Sequence, residues 1–567
     1  MQRAIIAVNR RRTSESGREI MNKEILNDWI RNIRNEDDRA ELETVMSDDS
    51  VLNERFSSEL EFGTGGLRGI VGIGTNCMNI YTVGRASKGL AAYMRAHGMG
   101  KVAISYDSRR KSRLFAETAA RIFAGRGIRV VIVRELMPTP FLSFLTRQEQ
   151  CGMGVMITAS HNPAAYNGYK VYNGDGCQIT DAAATEVAQF IGKESYFGEE
   201  NLSFDEYVRQ EMICFAAEET EEKYLQGIRN IVGQTDLSGL KIAYSALNGT
   251  GYRLVPKLLE GAGAEVILTE PQCVPDENFT TCPYPNPEKR EALALGIKTA
   301  EENDCDLLIA TDPDADRVGI AVCCGDSYVP FTGNEVGLLL LQYLLDEREG
   351  RGENTSRLLV IKTIVTTNLA EKIAAEYGAG VINVLTGFKY IGEQIGLLEA
   401  RGETDRFLLG FEESYGYLLG TQVRDKDALV ASLAICKMEA EYRTQGKNLK
   451  DVLESIYIKY GRLTNTLLSY TFAGAEGHKK IEEIMAQFRG QPPKEICGKE
   501  VVRCVDYMVS ENTGLPKSNV LQFDLGNGES IVIRPSGTEP NLKIYLALTG
   551  GTKEMKEYFD GRIGSNC

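Results

Sequence analysis

Short apolar runs alternate with amphipathic stretches along most of the chain, a rhythm that predicts strands delivering loops to helices. Val102-Ala-Ile-Ser105, Arg129-Val-Val-Ile-Val133 and Gly154-Val-Met-Ile157 read as strands, with a helical stretch from Leu114 to Ala124 among them. A polar helical segment from Asp205 to Ile228 then leads to a second set: Gly239-Leu-Lys-Ile-Ala-Tyr244, Glu265-Val-Ile-Leu268 and Leu307-Leu-Ile-Ala310. The third set contains Leu358-Leu-Val-Ile361, Val381-Ile-Asn-Val384 and Phe407-Leu-Leu409. In the last region Val520-Leu-Gln-Phe523, Ser530-Ile-Val-Ile533 and Leu542-Lys-Ile-Tyr-Leu546 alternate around a hairpin turn at Gly526-Asn-Gly528. The expected architecture is three consecutive α/β domains followed by a C-terminal α+β domain. Its boundaries are placed at 1–40 for an N-terminal extension and helix, then 41–225, 226–345, 346–462 and 463–567.

Three strand-like runs end on loops that carry chemistry, where open α/β sheets bind their ligands. Thr158-Ala-Ser-His-Asn-Pro163 sets the Ser160 hydroxyl beside the His161 imidazole, and Pro163 stiffens the exit. Taken alone it reads equally well as a hydroxyl-bearing turn. Thr311-Asp-Pro-Asp-Ala-Asp-Arg317 places carboxylates at alternate positions, where they repel one another unless a hard cation such as Mg²⁺ sits among them. A solvated acidic turn is the plainer alternative, and the loop lacks the glycine and glutamate that an EF-hand requires. Gly410-Phe-Glu-Glu-Ser-Tyr-Gly416 offers Glu412 and Ser414, two apart, to vicinal hydroxyls such as those of a sugar. Near the C-terminus, Arg534-Pro-Ser-Gly-Thr-Glu-Pro540 combines a guanidinium, two hydroxyls and glycine-freed amides, a set able to cradle a phosphate.

In this order along one chain, the four loops resemble those of the α-D-phosphohexomutase superfamily, over roughly Glu61 to Tyr545. Gly63-Thr-Gly-Gly-Leu-Arg-Gly69, Tyr106-Asp-Ser-Arg-Arg110 and Thr386-Gly-Phe-Lys389 extend the resemblance. Glu-Glu-Ser-Tyr in the third loop is similar to the glucose-preferring branch, and Arg424-Asp-Lys-Asp427 resembles the subgroup of bacterial phosphoglucomutases and animal phosphopentomutases. Ala315 stands where many relatives have glycine, which restricts the backbone slightly.

The resemblance implies mixed sheets around a central cleft and phosphoryl transfer in two strokes. A phosphoryl group on Ser160 would pass to a hexose phosphate, and the bisphosphate would turn over and return its other phosphate. Glucose 1-phosphate and glucose 6-phosphate would thus interconvert through glucose 1,6-bisphosphate, which also primes the enzyme. Mg²⁺ would be held by Ser160, Asp312, Asp314 and Asp316. Lys170 and Lys389 are the candidates for proton transfer, a task that neighbouring cations would assist by lowering a lysine pKa, with His161 and Arg68 assisting. Arg317 would brace the phosphoserine, Glu412 and Ser414 would hold the sugar, and Arg534, Ser536, Gly537 and Thr538 would grip the idle phosphate, helped by Arg424 and Lys426. Mannose or pentose phosphates with the same chemistry, a sugar bisphosphate synthase, and a non-catalytic sugar-phosphate sensor are the competing readings.

Composition changes little in this picture and excludes several others. With 567 residues, 43% hydrophobic and 25% charged, the chain is long enough for about four ordinary soluble domains. A net charge of −15 argues against nucleic acid or an anionic membrane as partner, and no apolar span approaches membrane length. Sugar phosphates are the expected partners, and a monomer or homodimer the expected assembly. The 13 cysteines form no Cys-x-x-Cys pair, so neither zinc nor a disulfide framework is supported and a reducing cytoplasm is expected. His97 and His478 read as structural. The short apolar run Ala4-Ile-Ile-Ala-Val8 precedes Arg10-Arg-Arg12, the wrong order for a signal peptide, and Met21 is a candidate true start.

Overall fold

A computed structural model describes residues 23–63, 65–198, 202–472, 476–509, 511, 513–536 and 541–563. The basic N-terminal stretch, the candidate start at Met21, and Gly537 and Thr538 lie outside the described residues.

The first sheet contains β1 (Leu67–Ile70), β2 (Lys101–Tyr106), β3 (Arg129–Ile132), β4 (Met153–Ile157), β5 (Tyr166–Asn173) and β6 (Ile213–Phe215), in the order β1-β5-β4-β2-β3-β6. The second has β7 (Lys241–Ser245), β8 (Glu265–Leu268), β9 (Leu307–Thr311), β10 (Val318–Cys323) and β11 (Tyr328–Pro330), in the order β11-β10-β9-β7-β8. The third has β12 (Leu359–Thr363), β13 (Gly380–Val384), β14 (Phe407–Glu412) and β15 (Gly416–Leu418), in the order β13-β12-β14-β15.

One plan recurs in all three. Parallel strands pair on one side, and the last of them, β4, β9 or β14, turns back into an antiparallel neighbour, β5, β10 or β15. Every position of β4, β9 and β14 is buried, as sheets covered on both faces by helices require. The chemistry-bearing loops are the tips of these hairpins, and the apolar runs preceding them are what the sequence pattern detected.

Two details depart from the sequence reading. The polar helical segment from Asp205 to Ile228 is broken: helices Phe204–Arg209 and Glu218–Val232 flank β6, which pairs in parallel with β3. Strand β5 was not foreseen, although it carries Lys170 opposite Met156 of β4.

The last sheet is antiparallel and runs β16-β22-β21-β20-β19, from β16 (Thr464–Thr471), β19 (Arg503–Asp506), β20 (Leu521–Gly526), β21 (Glu529–Pro535) and β22 (Asn541–Leu548). A small hairpin of β17 (Glu495–Ile496) and β18 (Lys499–Glu500) stands apart from it. The expected hairpin joins β20 to β21, with Asn527 at φ 54° and Gly528 at φ 84°, the positive pair that a tight two-residue turn needs. Helices Glu476–Gly490 and Thr552–Ile563 cover one face of the sheet and close an apolar core distinct from the one shared by the first three sheets. At the other end of the chain, Trp29 of helix Lys23–Asn32 packs among Phe56, Tyr81, Tyr196 and Phe197.

Candidate active site

The three hairpin tips and one face of the last sheet enclose a cleft of about 790 Å³. Each tip holds one non-glycine residue in the left-handed region: Ser160 at φ 52°, Ala315 at φ 48° and Tyr415 at φ 67°. Such a residue costs about 1–2 kcal/mol, and strain of this kind gathers where a site over-determines its backbone.

The second tip is bonded through main chain to the third hairpin and to helix starts on either side. Thr139 N donates to Asp314 O at 2.8 Å, Val318 N to Tyr415 O at 3.1 Å, and Ala428 N to Ala315 O at 3.3 Å. Gly333 opens a helix directly against the third tip, and a Cβ there would lie 2.2 Å from the Glu413 carbonyl oxygen, which only glycine avoids.

Ser160 is buried, its Oγ donating to Asp312 Oδ2 at 2.9 Å and lying 3.3 Å from His161 Nδ1. Burial, with Arg317 and Arg68 adding to it, drives the His161 pKa well below its ordinary value, so the imidazole is neutral. Asp312, Asp314 and Asp316 are all buried and each offers an oxygen within 4.8 Å of the others. Burial and the neighbouring Asp314 and Asp316 push Asp312 well above the usual carboxylate range, and burial with Asp314 raises Asp316 too. Burial also opposes the charge of Asp314, but Lys170 Nζ at 2.8 Å outweighs it and holds that carboxyl low.

Asp314 Oδ1 and Asp316 Oδ1 have no hydrogen-bond partner. Orphaned buried carboxylate oxygens are costly. Three carboxylates and one hydroxyl are an oxygen donor set suited to a hard divalent cation, so the residues present fit such an ion.

Of the residues singled out from sequence, Arg68, Ser160, His161, Lys170, Asp316, Arg317, Glu412, Ser414, Lys426, Arg534 and Ser536 line the cleft. Arg68 reaches Asn162 Oδ1 at 3.2 Å, Arg317 pairs with Glu288 at 2.7 Å, and Glu412 Oε1 accepts from Gly387 N at 3.1 Å. Lys426 Nζ sits 3.1 Å from Asp316 Oδ2 and 3.0 Å from Asp425 Oδ1. Burial opposes its charge, but those two carboxylates more than restore it.

The neighbouring segment is tied down on every side. Tyr172 donates to Asp425 at 2.8 Å, Tyr224 donates to Asp427 at 2.9 Å, and Asp427 caps helix Ala428–Thr444.

Two expected site residues are turned elsewhere. Lys389 is bound to Asp181 at the seam between the first and third sheets, and Arg424 is fully buried against Glu399 and the Thr421 carbonyl. A third expectation is inverted: cations were expected to surround Lys170, and its neighbours are Asp314 and Asp316, the latter at 3.7 Å.

Several cleft residues escaped the sequence reading. Glu413 is one, its carboxyl raised to about 7 by burial and the adjacent Glu412. Lys543 and Tyr545 are others, and Lys543 lies directly across from Arg534. Strand alternation could have found them, because Asn541, Lys543 and Tyr545 share the sheet face opposite the buried Leu542, Ile544 and Leu546.

Comparison with known proteins agrees with this geometry. The models of phosphoglucomutase/phosphomannomutase alpha/beta/alpha domains I, II and III match residues 59–197, 222–325 and 332–460. A phosphoglucomutase of Staphylococcus epidermidis is 37% identical over 511 residues, covering 88% of this chain and 92% of its own. One of Staphylococcus aureus is 38% identical over 512 residues, covering 87% and 90%.

Among solved structures, the Paramecium phosphoglucomutase pp63/parafusin in its open form shares the fold with a TM-score of 0.66 at 17% identity, covering 90% of this chain and 94% of its own. A phosphoglucomutase/phosphomannomutase family protein from Burkholderia thailandensis does so with a TM-score of 0.66 at 18% identity, covering 90% and 98%. With most of its length matched by the three domain models and by a relative 37% identical, the chain belongs to the phosphoglucomutase/phosphomannomutase family and is a phosphohexomutase, an isomerase.

Proposed function

We propose that the chain interconverts glucose 1-phosphate and glucose 6-phosphate, with Ser160 carrying the phosphoryl group and glucose 1,6-bisphosphate as both intermediate and primer. The observation that carries this reading is the Ser160 hydroxyl, fixed 2.9 Å from Asp312 at the meeting point of the three hairpin tips. Relatives named phosphoglucomutase, at 37–38% identity over most of the chain, support glucose as the sugar.

In the first stroke the bond from phosphorus to Ser160 Oγ breaks as a bond to the free sugar hydroxyl forms. The hydroxyl proton leaves to a base within the cleft, a role for the neutral His161 with Nδ1 3.3 Å from Ser160 Oγ, while Lys170, an ammonium paired with Asp314 on the wall of the same cleft, is the candidate to return a proton to the departing oxygen. The bisphosphate then reorients, and the reverse transfer restores the phosphoserine. Glu412 and Ser414 hold the sugar hydroxyls in either orientation, while Arg534, Ser536 and Lys543 grip the phosphate that is not reacting, on the cleft face of the last sheet. The residues expected to complete that grip are Gly537 and Thr538.

Lys426 and Arg317 stabilise negative charge at the junction of the second and third tips. Lys389 and Arg424, in their observed positions, serve the seams and not the cleft. Asp312, Asp314, Asp316 and Ser160 would hold Mg²⁺, which when bound offsets the charge of the transferring group.

The number and order of domains read from sequence are kept in this proposal, although the 225/226 limit falls inside helix Glu218–Val232 and the 345/346 limit inside helix Gly333–Gly350, and the last boundary is supported by the separate core beyond it. The assembly we propose is a monomer or a homodimer. No helix among the described residues is long and apolar enough to cross a membrane, and the free cysteines support a cytoplasmic setting.

The test is Ser160→Ala assayed on glucose, mannose and ribose 1-phosphates with Mg²⁺ and bisphosphate primer. Loss of mutase activity by several orders of magnitude is expected, with glucose 1-phosphate the best substrate of the parent enzyme. Full activity in the variant would end the reading, and a faster rate on another sugar would reassign the substrate.

A further inference from the structure

Behind the Ser160 tip lies a buried ion pair for which the mechanism above has no use. Arg109, with its side chain wholly buried, stands 3.3 Å from Asp107 in the segment that follows β2. Its guanidinium donates to four backbone carbonyls of the loop: Ser160 O and Asn162 O through one nitrogen, and Pro163 O at 2.9 Å and Tyr166 O at 3.1 Å through another. Asp107 works on the other side of the same residue. Its charge acts on the neighbouring Thr158 hydroxyl, and Thr158 Oγ1 accepts the Ser160 N–H at 2.8 Å. Ser112 Oγ at 2.7 Å and the Arg109 N–H at 3.0 Å fix the carboxylate in turn. Both peptide groups flanking Ser160 are therefore held, one by the Thr158 hydroxyl beside the anion and one by the cation directly.

We infer that the Asp107–Arg109 pair is a positioning device for the nucleophile: it pins Ser160 in its left-handed conformation and so aims the hydroxyl at Asp312. The inference rests on Ser160 being the phosphoryl carrier. Magnitudes favour it. One left-handed non-glycine residue is strained by less than several charge-assisted hydrogen bonds together stabilise, so the bonds converging on the loop outweigh the strain. Without them, relaxation of φ at Ser160 would swing Oγ away from its 2.9 Å contact. The Arg109 guanidinium also lies over the Phe279 ring, 4.9 Å from its centroid, so the clamp is completed by a side chain from the segment between β8 and β9. Docking of the second sheet against the first is thereby coupled to the aim of the nucleophile.

The test uses the full-length enzyme and two variants. Arg109→Lys keeps the charge but cannot fork to four carbonyls, and Thr158→Val removes the acceptor of the Ser160 amide while preserving shape and the ion pair. A misplacement of about 1 Å at the reacting atom lowers the rate about 100-fold. The expected result is a kcat reduced about 30- to 100-fold in Arg109→Lys and about tenfold in Thr158→Val. KM for glucose 1-phosphate should stay within threefold, and phosphorylation of Ser160 by glucose 1,6-bisphosphate, followed by intact-protein mass spectrometry, should slow in the same proportion.

A merely structural role would lower the folded fraction and leave kcat per folded molecule unchanged, so rates are normalised to the folded fraction by near-ultraviolet circular dichroism. Normalised kcat within threefold of the parent in both variants overturns the inference, as does a rise in KM with kcat intact. Ser160→Ala run in parallel separates the two levels. If it stays active, the phosphoserine reading itself fails, whereas a dead Ser160→Ala beside a fully active Arg109→Lys refutes the clamp alone.

Discussion

Replacing Lys170 by methionine deletes an ammonium lying 2.8 Å from Asp314 Oδ2 and 3.7 Å from Asp316 Oδ2 while nearly preserving its volume. At an effective dielectric constant of about 20, those distances correspond to attractions of about 6 and about 4 kcal/mol. Much of that is offset by the cost of desolvating the lysine, and breaking a buried pair by removing one partner leaves a net loss of about 3–5 kcal/mol. In EDTA the Lys170→Met protein should therefore melt about 5 °C below the parent, the shift expected for a cooperative unit as large as three sheets sharing one core. The same deletion leaves the carboxylate cluster one unit more negative, so a divalent cation should bind it more tightly and restore more stability than it adds to the parent. Thermal unfolding of both proteins in EDTA and in a few millimolar MgCl₂ reads the two effects separately. The variant is expected to gain more from Mg²⁺ than the parent does, even though it no longer turns over substrate. An equal or smaller gain would show that Lys170 does not share its carboxylates with a cation, and the electrostatic account of the cluster would be wrong.

Ala315, buried at φ 48°, allows a paired test by urea unfolding. Ala315→Gly should change stability by less than about 1 kcal/mol, since relief of strain is offset by a lost methyl and a freer unfolded chain, whereas Ala315→Val should destabilise by more than about 2 kcal/mol because a branched side chain fits neither the backbone nor the space. Glu439 is raised to about 7 from an ordinary 4.5 by burial, only partly countered by Arg443. Native protein keeps this proton up to about pH 7 while the unfolded chain releases it near 4.5, so the group's contribution to stability falls as pH rises through that window. Glu439→Gln should flatten the decline by on the order of 3 kcal/mol between pH 4.5 and 8, and an unchanged slope in urea unfolding would contradict the assignment. Lys543→Ala should raise KM for sugar phosphate about tenfold with kcat little changed, as expected for loss of a phosphate contact made equally in ground and transition states; a fall in kcat at constant KM would place Lys543 in the chemistry instead.

Strands β4, β9 and β14 were legible because their fully buried runs stand out from any neighbourhood, and the loops they deliver were legible because each concentrates hydroxyls or carboxylates. Strand β5 was not, since Tyr-Asn-Gly-Tyr-Lys-Val-Tyr-Asn has too few aliphatic residues to mark burial, yet all eight of its residues pair with β1 or β4 on either side. Strand β6, three residues long, is shorter than any periodicity can report. The Asp107 and Arg109 motif was visible as letters, but its partners lie some fifty positions away and exist only once the chain has folded. Lys389 and Arg424 were misplaced for the same reason: a basic residue near a motif points wherever its carboxylate is, and Asp181 and Glu399 stand outside the cleft. Ala315 was read as a slight restriction, and its positive φ makes it a strained hairpin tip.

The strands of the last sheet have a dry side and a wet side with nothing between them. Ile531 and Ile533 point into oil while Val532 and Arg534 face the cleft, and β22 repeats the rule with Leu542 and Ile544 against Lys543 and Tyr545. Adding or deleting one residue within Glu529–Pro535 would turn every later side chain over, drowning the guanidinium in grease and lifting an isoleucine into its place. Point changes there can be absorbed, but a shift of frame along that ribbon cannot, and library designs for this region should hold its length fixed.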